Sequence, residues 1–393
     1  MTETKIETNL ATDPLTKDIV SDLAGTAGPC ITLLLPPYRP GERGKPAAAL
    51  LKLDLQEAAK KLAARRIAKP LIAELLEPLH QLCHEDQWLA GSGCSRVIFR
   101  SPQVFRQFDL PVAPWSERAC IVGDCFWIRG TLAALALPAK VYVLEVTKKA
   151  VALMACGFKD VSPLGLPKGT PHTLEEALAF DPPDHDLLNR SAAGPSNGTM
   201  GGVQFGTGSG RETQHAYLHD FYRAVDRGIH ELLRTSQAPL ILAGVDEDMA
   251  MYRSISTYGN LLEQGIHGSP GAAMTRVQIL RHAHDIALFS AERRVGLEMA
   301  VSKERFGPAR FLVDFDNILR AAVEGRVSDL YLDDYGRRMG SFASTSFGGH
   351  NNWHDEDLLN VAAVETLLRR GNVCSLPSHL MPRGAVAAAT LRY

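Results

Sequence analysis

The chain has 393 residues, of which 22% are charged and 45% are hydrophobic. That length exceeds one ordinary hydrophobic core and predicts two or three domains of globular composition. The formal net charge is −2, which excludes a protein held on RNA by its overall charge. Any contact with RNA must therefore come from local basic patches and from shape.

The cysteines and the N-terminus predict an intracellular protein. None of the seven cysteines forms a Cys-x-x-Cys pair, which favours reduced, buried thiols. Residues 1–13 are polar and contain acids, unlike a signal or transit peptide. The apolar stretch 132–144 contains Pro138 and Lys140 and is too short to span a bilayer. We therefore expect a cytoplasmic protein with no membrane segment.

The first domain is expected over residues 1–115, where a short buried strand at 31–35 precedes a basic, proline-rich loop. A helical pattern follows over 47–69, and its second half is basic. Prolines at 111 and 114 favour a boundary near residue 115. Cations that are either a solvated face or candidate RNA contacts lie in the loop and in the helix: Arg39, Arg43, Lys45, Lys60, Lys61, Arg65 and Arg66.

The second domain is expected over residues 116–305. Three strands are predicted first, and an irregular segment rich in Pro, Gly, Ser and Asp follows at 167–210. The remaining pattern predicts a strong helix, a strand and two further helices. The predicted elements are strands at 141–146, 150–154, 159–164 and 240–243, and helices at 212–234, 249–258 and 274–300.

The third domain is expected over residues 306–393, after Gly307-Pro308. Helical runs at 311–323 and 358–368 alternate with short apolar segments at 327–332 and 373–376, and a last strand is predicted at 385–393. This alternation predicts a sandwiched, mostly parallel sheet. Arg369-Arg370-Gly371 predicts a helix stop, in which cations meet exposed carbonyls and a glycine takes the left-handed conformation.

The ending of the chain, from Gly384 through an alanine-rich strand to Leu391-Arg392-Tyr393, resembles the closing strand of a known family. That family is the bacterial archaeo-eukaryotic release factor one and Pelota-like family, which includes Balon-type ribosome-associated factors. Residues 239–245 resemble its central strand, and residues 29–40 resemble its opening strand and basic loop. The resemblance extends over residues 20–393.

This resemblance implies an α/β protein of three domains, with a central RNase H-like α/β domain and a C-terminal L7Ae-like α/β/α sandwich. It also implies a ribosome-binding translation factor that acts in the A site, in termination, ribosome rescue or hibernation. Its partners would be rRNA of the decoding and peptidyl-transferase centres, and possibly a GTPase elongation factor. The codon-reading motifs of eukaryotic termination factors are absent, so stop-codon reading is not expected.

The glycine-rich segment 194–210 lies where true release factors carry a Gly-Gly-Gln loop that positions water for ester hydrolysis. Here the sequence is Gly201-Gly202-Val203-Gln204, and the extra residue shifts the glutamine by about 3.3–3.6 Å of chain. We therefore expect the segment to contact rRNA through Gly201, Gly202, Gln204 and Arg211 without hydrolysis. A plain linker, a peptidyl-tRNA hydrolase using Gln204, and an RNA-binding protein that never enters the ribosome remain as alternatives.

No cofactor or metal is expected. The glycine-rich segment lacks the Gly-Lys-Ser/Thr end of a phosphate-binding loop. His350 and His354 lie in a loop-like segment, whereas His282 and His284 have a spacing that places them on different helix faces. Neither pair predicts a zinc site.

Overall fold

The computed structural model describes residues 15–36, 47–83, 94–111, 118–180, 208–236, 238–268, 273–344 and 351–393. The chain divides into two compact units. One comprises Met1–Ala139 with Ala287–Tyr393, and the other comprises Lys140–Ile286. Each unit contains both helices and sheets, so the predicted α/β class is confirmed.

The described residues form ten helices, which we number in chain order. They are α1 (Lys17–Ala24), α2 (Ala47–Ala64), α3 (Lys69–Leu82), α4 (Arg129–Leu135), α5 (Leu174–Phe180), α6 (Gly208–Leu233), α7 (Asp246–Ile255), α8 (Arg276–Arg310), α9 (Phe315–Val323) and α10 (Leu358–Leu368). Helix α8 is interrupted at Gly307, whose φ of 58° and ψ of −171° are not helical.

The described residues also form fifteen strands. They are β1 (Cys30–Leu35), β2 (Ser95–Arg100), β3 (Phe105–Leu110), β4 (Ala119–Gly123), β5 (Val141–Val146), β6 (Val151–Cys156), β7 (Val161–Leu164), β8 (Leu240–Gly244), β9 (Ile266–His267), β10 (Phe311–Leu312), β11 (Val327–Asp333), β12 (Met339–Ser344), β13 (Asn351–Asp357), β14 (Asn372–Leu376) and β15 (Ala387–Leu391).

The N-terminal sheet has the order β3-β2-β1-β4 and is antiparallel throughout. Because side chains alternate along a strand, its two faces enter different cores. Ile31 and Leu33 pack with α2 and α3, whereas Cys30 and Leu34 belong to a core on the opposite face. Strand β4 belongs to this sheet although it follows residue 115, and the three domain boundaries stay a prediction.

The C-terminal sheet has the order β10-β15-β11-β14 and lies between two helical layers. Leu330 and Leu332 of β11 pack with α9 and α10, whereas Tyr331 points to the other face, where it packs with Met299 of α8. This alternation confirms the α/β/α sandwich. The expectation of a mostly parallel sheet is wrong, because only β11 and β14 pair in parallel, and β15 is antiparallel to both of its neighbours.

The N-terminal sheet and the C-terminal sandwich share one hydrophobic core. Phe99 and Phe108 of the sheet belong to the same buried cluster as Ile318 of α9 and Val361 of α10. The first and last parts of the chain therefore form one packed unit. A separate two-stranded ribbon, β12–β13, precedes α10 and is attached to it directly.

The other unit contains a five-stranded sheet of order β7-β6-β5-β8-β9. Its first three strands are antiparallel, and β8 and β9 run parallel to β5. In chain order this is the 3-2-1-4-5 arrangement of an RNase H-like domain. Helix α6 packs on the sheet through Phe221, Val225 and Ile229. The structure confirms three predictions here: the hairpin of β5 and β6, the third strand β7, and the helix predicted at 212–234, which is α6.

Among the described residues, two helices end with arginine in the left-handed conformation. Arg66 after α2 has φ 61°, and Arg370 after α10 has φ 59°. The prediction that Gly371 takes this conformation is therefore wrong. Gly371 is required for close approach instead, because a Cβ there would lie 2.5 Å from Cγ2 of Thr366 and 3.0 Å from the carbonyl oxygen of Val327.

Candidate nucleic-acid interface

Helix α2 buries one face and exposes its cations on the other. Leu51, Leu55 and Leu62 are buried against α3 and the N-terminal sheet, whereas Lys60 is exposed. The helix ends in a Schellman motif, in which Arg66 N donates to Ala63 O at 2.9 Å and Ile67 N donates to Leu62 O at 3.1 Å. This turn places Arg66 on the surface beyond the last carbonyls.

Lys61 and Arg65, the other two predicted contacts in this region, have partners within the protein. Lys61 Nζ donates to the carbonyl oxygen of Cys120 at 2.6 Å and pairs with Glu57 at 2.5 Å. The Arg65 side chain is 24% exposed and pairs with two carboxylates, Asp124 at 3.1 Å and Glu356 at 2.8 Å. These contacts occupy both cations in the free protein.

The structure therefore separates the four predicted RNA contacts into two pairs. Lys60 and Arg66 are exposed and have no ionic partner in the described part of the chain. Lys61 and Arg65 connect α2 to the segment around β4 and, through Glu356, to β13. Of these four cations, Lys60 and Arg66 are the ones without a partner among the described residues.

The remaining predicted contacts cannot be placed in the same way. Arg39, Arg43 and Lys45 lie outside the described residues, as do Gly201, Gly202 and Gln204. Arg211 lies within α6. The glycine-rich segment is thus located only by its end, where α6 begins at Gly208.

The long helix α6 begins within the last residues of this segment. It has 26 residues, and among its described side chains the first buried one is Leu218. Ten residues of helix precede Leu218, which corresponds to about 15 Å at 1.5 Å per residue. From Leu218 to Leu233 the helix is packed against the sheet. The fold therefore joins the glycine-rich segment to a helix that is fixed along its second half.

The histidines on α8 do not converge on a metal. His284 is 3% exposed, and its Nε2 lies 3.0 Å from the carbonyl oxygen of Gly157; burial lowers the pKa of His284. His282 is exposed. Within the described ranges, no group of three or more His, Cys, Asp or Glu side chains could hold a metal ion. His350 lies outside them, and the side chain of His354 is not described.

The thiols are unsuited to nucleophilic chemistry. Burial raises the pKa of Cys30, Cys120 and Cys156 to about 12, so these groups stay protonated at neutral pH. A protonated thiol is neither a good nucleophile nor a metal ligand. These thiols fill the core.

Sequence reasoning missed the residues that bind the segment 123–129 to the C-terminal sandwich. They are Asp124, Glu356, Asp357 and Asn360. One signal was available, since Asp357 directly precedes a helical run, as an N-cap does. The side chains that Asp357 binds, those of Trp127 and Arg129, gave no signal, because they lie more than 200 residues earlier in the chain.

Comparison with known proteins agrees with the resemblance inferred from the sequence. Residues 141–326, just under half of the chain, match the model of bacterial archaeo-eukaryotic release factor family 3. This match includes β5 to β10 and α5 to α9, among them the whole of α6. No curated protein matches the sequence.

Several solved structures are similar at low identity. An archaeal translation termination factor, aRF1, is 12% identical over 96% of this chain and 99% of its own, with a TM-score of 0.25. Pelota of Archaeoglobus fulgidus is 12% identical over 77% and 80%, with a TM-score of 0.36. Dom34 of S. cerevisiae, described as a termination-like factor in RNA quality control that interacts with Hbs1, is 11% identical over 76% and 80%, with a TM-score of 0.31.

Within the part of the chain that the structure describes, every helix is too short or too polar to cross a membrane.

Proposed function

We propose that this chain is a ribosome-binding translation factor of the release factor and Pelota type. It acts in the cytoplasm, in the ribosomal A site, during hibernation or ribosome rescue. It reads no stop codon and hydrolyses no peptidyl-tRNA. Its partners are rRNA of the decoding and peptidyl-transferase centres, and a GTPase elongation factor is a candidate for its delivery.

One observation carries this proposal: the family match over residues 141–326 contains a glycine-rich sequence that runs directly into α6. A segment that probes RNA needs glycines for close approach and a fixed base, since sites supported by packed elements are held more accurately. Helix α6 supplies that base through Phe221, Val225 and Ile229. The inserted Val203 supports RNA contact without the geometry of hydrolysis.

Charge on α2 supports RNA as the partner. The net charge of −2 gives no general attraction, so binding depends on local cations. Lys60 and Arg66 are exposed cations near the end of one helix. In this proposal they contact phosphates near the decoding centre, together with Arg39, Arg43 and Lys45 of the loop before the helix.

Co-sedimentation with 70S ribosomes over a range of salt concentrations tests the proposal. Lys60→Glu combined with Arg66→Glu should weaken binding and reduce the salt slope by about two units, because about one unit is lost for each phosphate contact. The charge-matched control is Arg294→Glu with Lys303→Glu, two exposed cations of α8, and it should leave the slope unchanged. Equal slopes in all three proteins would exclude the role of α2, and wild-type protein that stays unbound at low salt would exclude the function.

The hydrolase alternative is tested on ribosomes that carry peptidyl-tRNA. Wild-type protein should release no peptide above background. Release that disappears in Gln204→Ala would establish the peptidyl-tRNA hydrolase instead. Equal affinity for ribosomes and for unrelated structured RNA would favour the non-ribosomal RNA-binding protein.

A further inference from the structure

The carboxylate of Glu356 links the N-terminal part of the chain to its C-terminal part. Its Oε1 accepts hydrogen bonds from Nη2 of Arg65 at 2.8 Å and from the backbone N–H of Asp124 at 3.0 Å. Arg65 completes a ring by donating from Nη1 to Oδ1 of Asp124 at 3.1 Å. Arg65 comes just after α2, Asp124 just after β4, and Glu356 lies on β13 of the C-terminal ribbon.

This contact is closely fitted. Glu356 is 7% exposed, and a Cβ placed on Gly123 would lie only 2.7 Å from its Oε2. Glycine at position 123 therefore permits the carboxylate to approach the backbone. Because Glu356 is buried, its charge needs these partners, and removal of one partner leaves an uncompensated charge in the interior.

A second group of bonds fixes the same segment a few residues later. Oδ1 of Asn360 on α10 accepts from the backbone N–H of Ile128 at 2.9 Å, and its Nδ2 donates to the carbonyl oxygen of Phe126 at 3.0 Å. The segment after β4 is thus bound to the C-terminal sandwich through its main chain. Through its bond to Glu356, Arg65 connects the end of the basic helix α2 to the same attachment.

We propose that Arg65 and Glu356 form a latch that holds the end of α2 on the C-terminal ribbon β12–β13, so that Arg65 is a positioning residue and not an RNA contact. The consequence for binding rests on the proposed function. The latch fixes the positions of Lys60 and Arg66 relative to the C-terminal ribbon. The N-terminal sheet and the C-terminal sandwich then meet the ribosome as one body.

A double-mutant cycle on the free protein tests the latch without any ribosome. Arg65→Met and Glu356→Gln should each lower the urea midpoint, and the double variant should be little worse than the more damaging single variant, since contacting partners are not additive. The control cycle is Arg326→Met with Glu324→Gln, an ion pair of two partly exposed side chains at 2.6 Å. In that cycle, each single change should shift the urea midpoint only slightly, and the two shifts should add in the double variant. Additive effects for Arg65 and Glu356 would overturn the latch.

Ribosome binding separates positioning from direct contact. Arg65→Met should raise Kd about tenfold at every salt concentration and leave the salt slope as in wild type. Arg65→Lys should bind as weakly as Arg65→Met, because one ammonium group cannot reproduce a guanidinium that pairs with two carboxylates. A slope lowered by about one unit in Arg65→Met, with full recovery in Arg65→Lys, would show that Arg65 contacts phosphate and would overturn the proposal.

The two ideas fail in different ways. If the wild-type protein does not bind ribosomes, the proposed function fails, and the urea cycle alone still decides whether the latch exists. If ribosomes bind and the cycle is additive, the function stands without the latch. Should Arg65→Met not fold, Glu356→Gln keeps the side-chain shape and an oxygen acceptor, and the same slope comparison is made on that variant.

Discussion

Nη1 of Arg129 donates a hydrogen bond to Oδ2 of Asp357 at 2.7 Å, and the two side chains are only 3% and 10% exposed. The same oxygen accepts from Nε1 of Trp127 at 3.0 Å. The other oxygen, Oδ1, accepts from the backbone N–H of Leu359 at 3.2 Å. Asp357 therefore caps α10 with one oxygen and binds the segment after β4 with the other.

Replacing Asp357 by alanine should cost more than the loss of a helix cap. The change also leaves the Arg129 charge buried without its carboxylate, and a broken buried pair costs about 3–5 kcal/mol. Asp314→Ala is the control, because Asp314 caps α9 through the Asn317 N–H at 3.0 Å in an exposed setting. That change should cost about 1 kcal/mol. Urea denaturation of both variants measures the difference, and equal losses would show that the interior pair adds nothing.

Arg66 allows binding and stability to be separated. In Arg66→Gly, glycine takes the left-handed conformation without the penalty of a side chain. The free energy of unfolding should therefore stay the same or rise by up to about 1 kcal/mol, while ribosome affinity falls. Arg370→Gly is the matched control, since it relieves the same conformation, φ 59°, in an exposed residue after α10. Normal binding by this control and weak binding by Arg66→Gly are expected in co-sedimentation, and equal binding by both variants would contradict the role of Arg66.

Tyr222 has a buried hydroxyl without a hydrogen-bond partner among the described residues. Tyr222→Phe removes that group, so the free energy of unfolding should not fall, and it should rise if the desolvation penalty of about 1–3 kcal/mol is relieved. Tyr258→Phe is the comparison, because Tyr258 OH donates to the Ala238 carbonyl oxygen at 2.6 Å. Tyr258→Phe should lower the free energy of unfolding by about 1 kcal/mol. Thermal unfolding of both variants measures the difference, and a larger loss of stability in Tyr222→Phe than in Tyr258→Phe would contradict the prediction.

Glu292 on α8 should make stability depend on pH. Burial, with a further contribution from nearby Asp334, raises the pKa of Glu292 from 4.5 to about 7. A carboxyl group with a raised pKa favours the folded state when protonated, so its contribution is complete below pH 4.5 and is lost as the pH rises to about 7. Glu292→Gln should therefore stabilise the protein at pH 8 relative to wild type and lose that advantage at pH 4.5.

The comparison must isolate Glu292 from other groups with raised pKa values. Burial also raises the pKa of Asp54 to about 6, so wild-type stability alone follows several carboxyl groups. The informative quantity is the difference between variant and wild type at each pH, measured by urea denaturation. Glu298→Gln changes an exposed glutamate of the same helix and should give a difference that does not vary with pH. A flat difference for Glu292→Gln as well would contradict the prediction.

Local patterns in the sequence predicted much of this fold. The apolar spacing of residues 212–234 predicted α6, whose buried face includes Phe221 and Ile229, and strand β8 followed where a short apolar run was bounded by turn residues. These elements depend on neighbours within one or two turns. Strand direction does not, and for this reason the C-terminal sheet was wrongly expected to be mostly parallel.

Contacts between distant residues could not be predicted in this way. Arg65 and Glu356 are separated by 291 positions, and no periodicity relates them. Arg65 therefore looked like one member of a basic cluster, indistinguishable from Lys60 and Arg66. Only the folded chain separates a cation held by two carboxylates from cations that face solvent.

The shared core has a consequence for synthesis on the ribosome. Ile128 reaches its hydrogen-bond partner Asn360 only after 232 further residues have been added, which takes about 12–46 s at 5–20 residues per second. Until then, the core that contains Phe99 and Phe108 lacks the side chains of α10, such as Val361, whereas all residues of the unit Lys140–Ile286 have been added. The unit Lys140–Ile286 can therefore fold during synthesis before the core shared by the first and last parts of the chain is complete. Chains that stop before α10 leave the exit tunnel with an incomplete core, whose exposed apolar surface chaperones and proteases can bind.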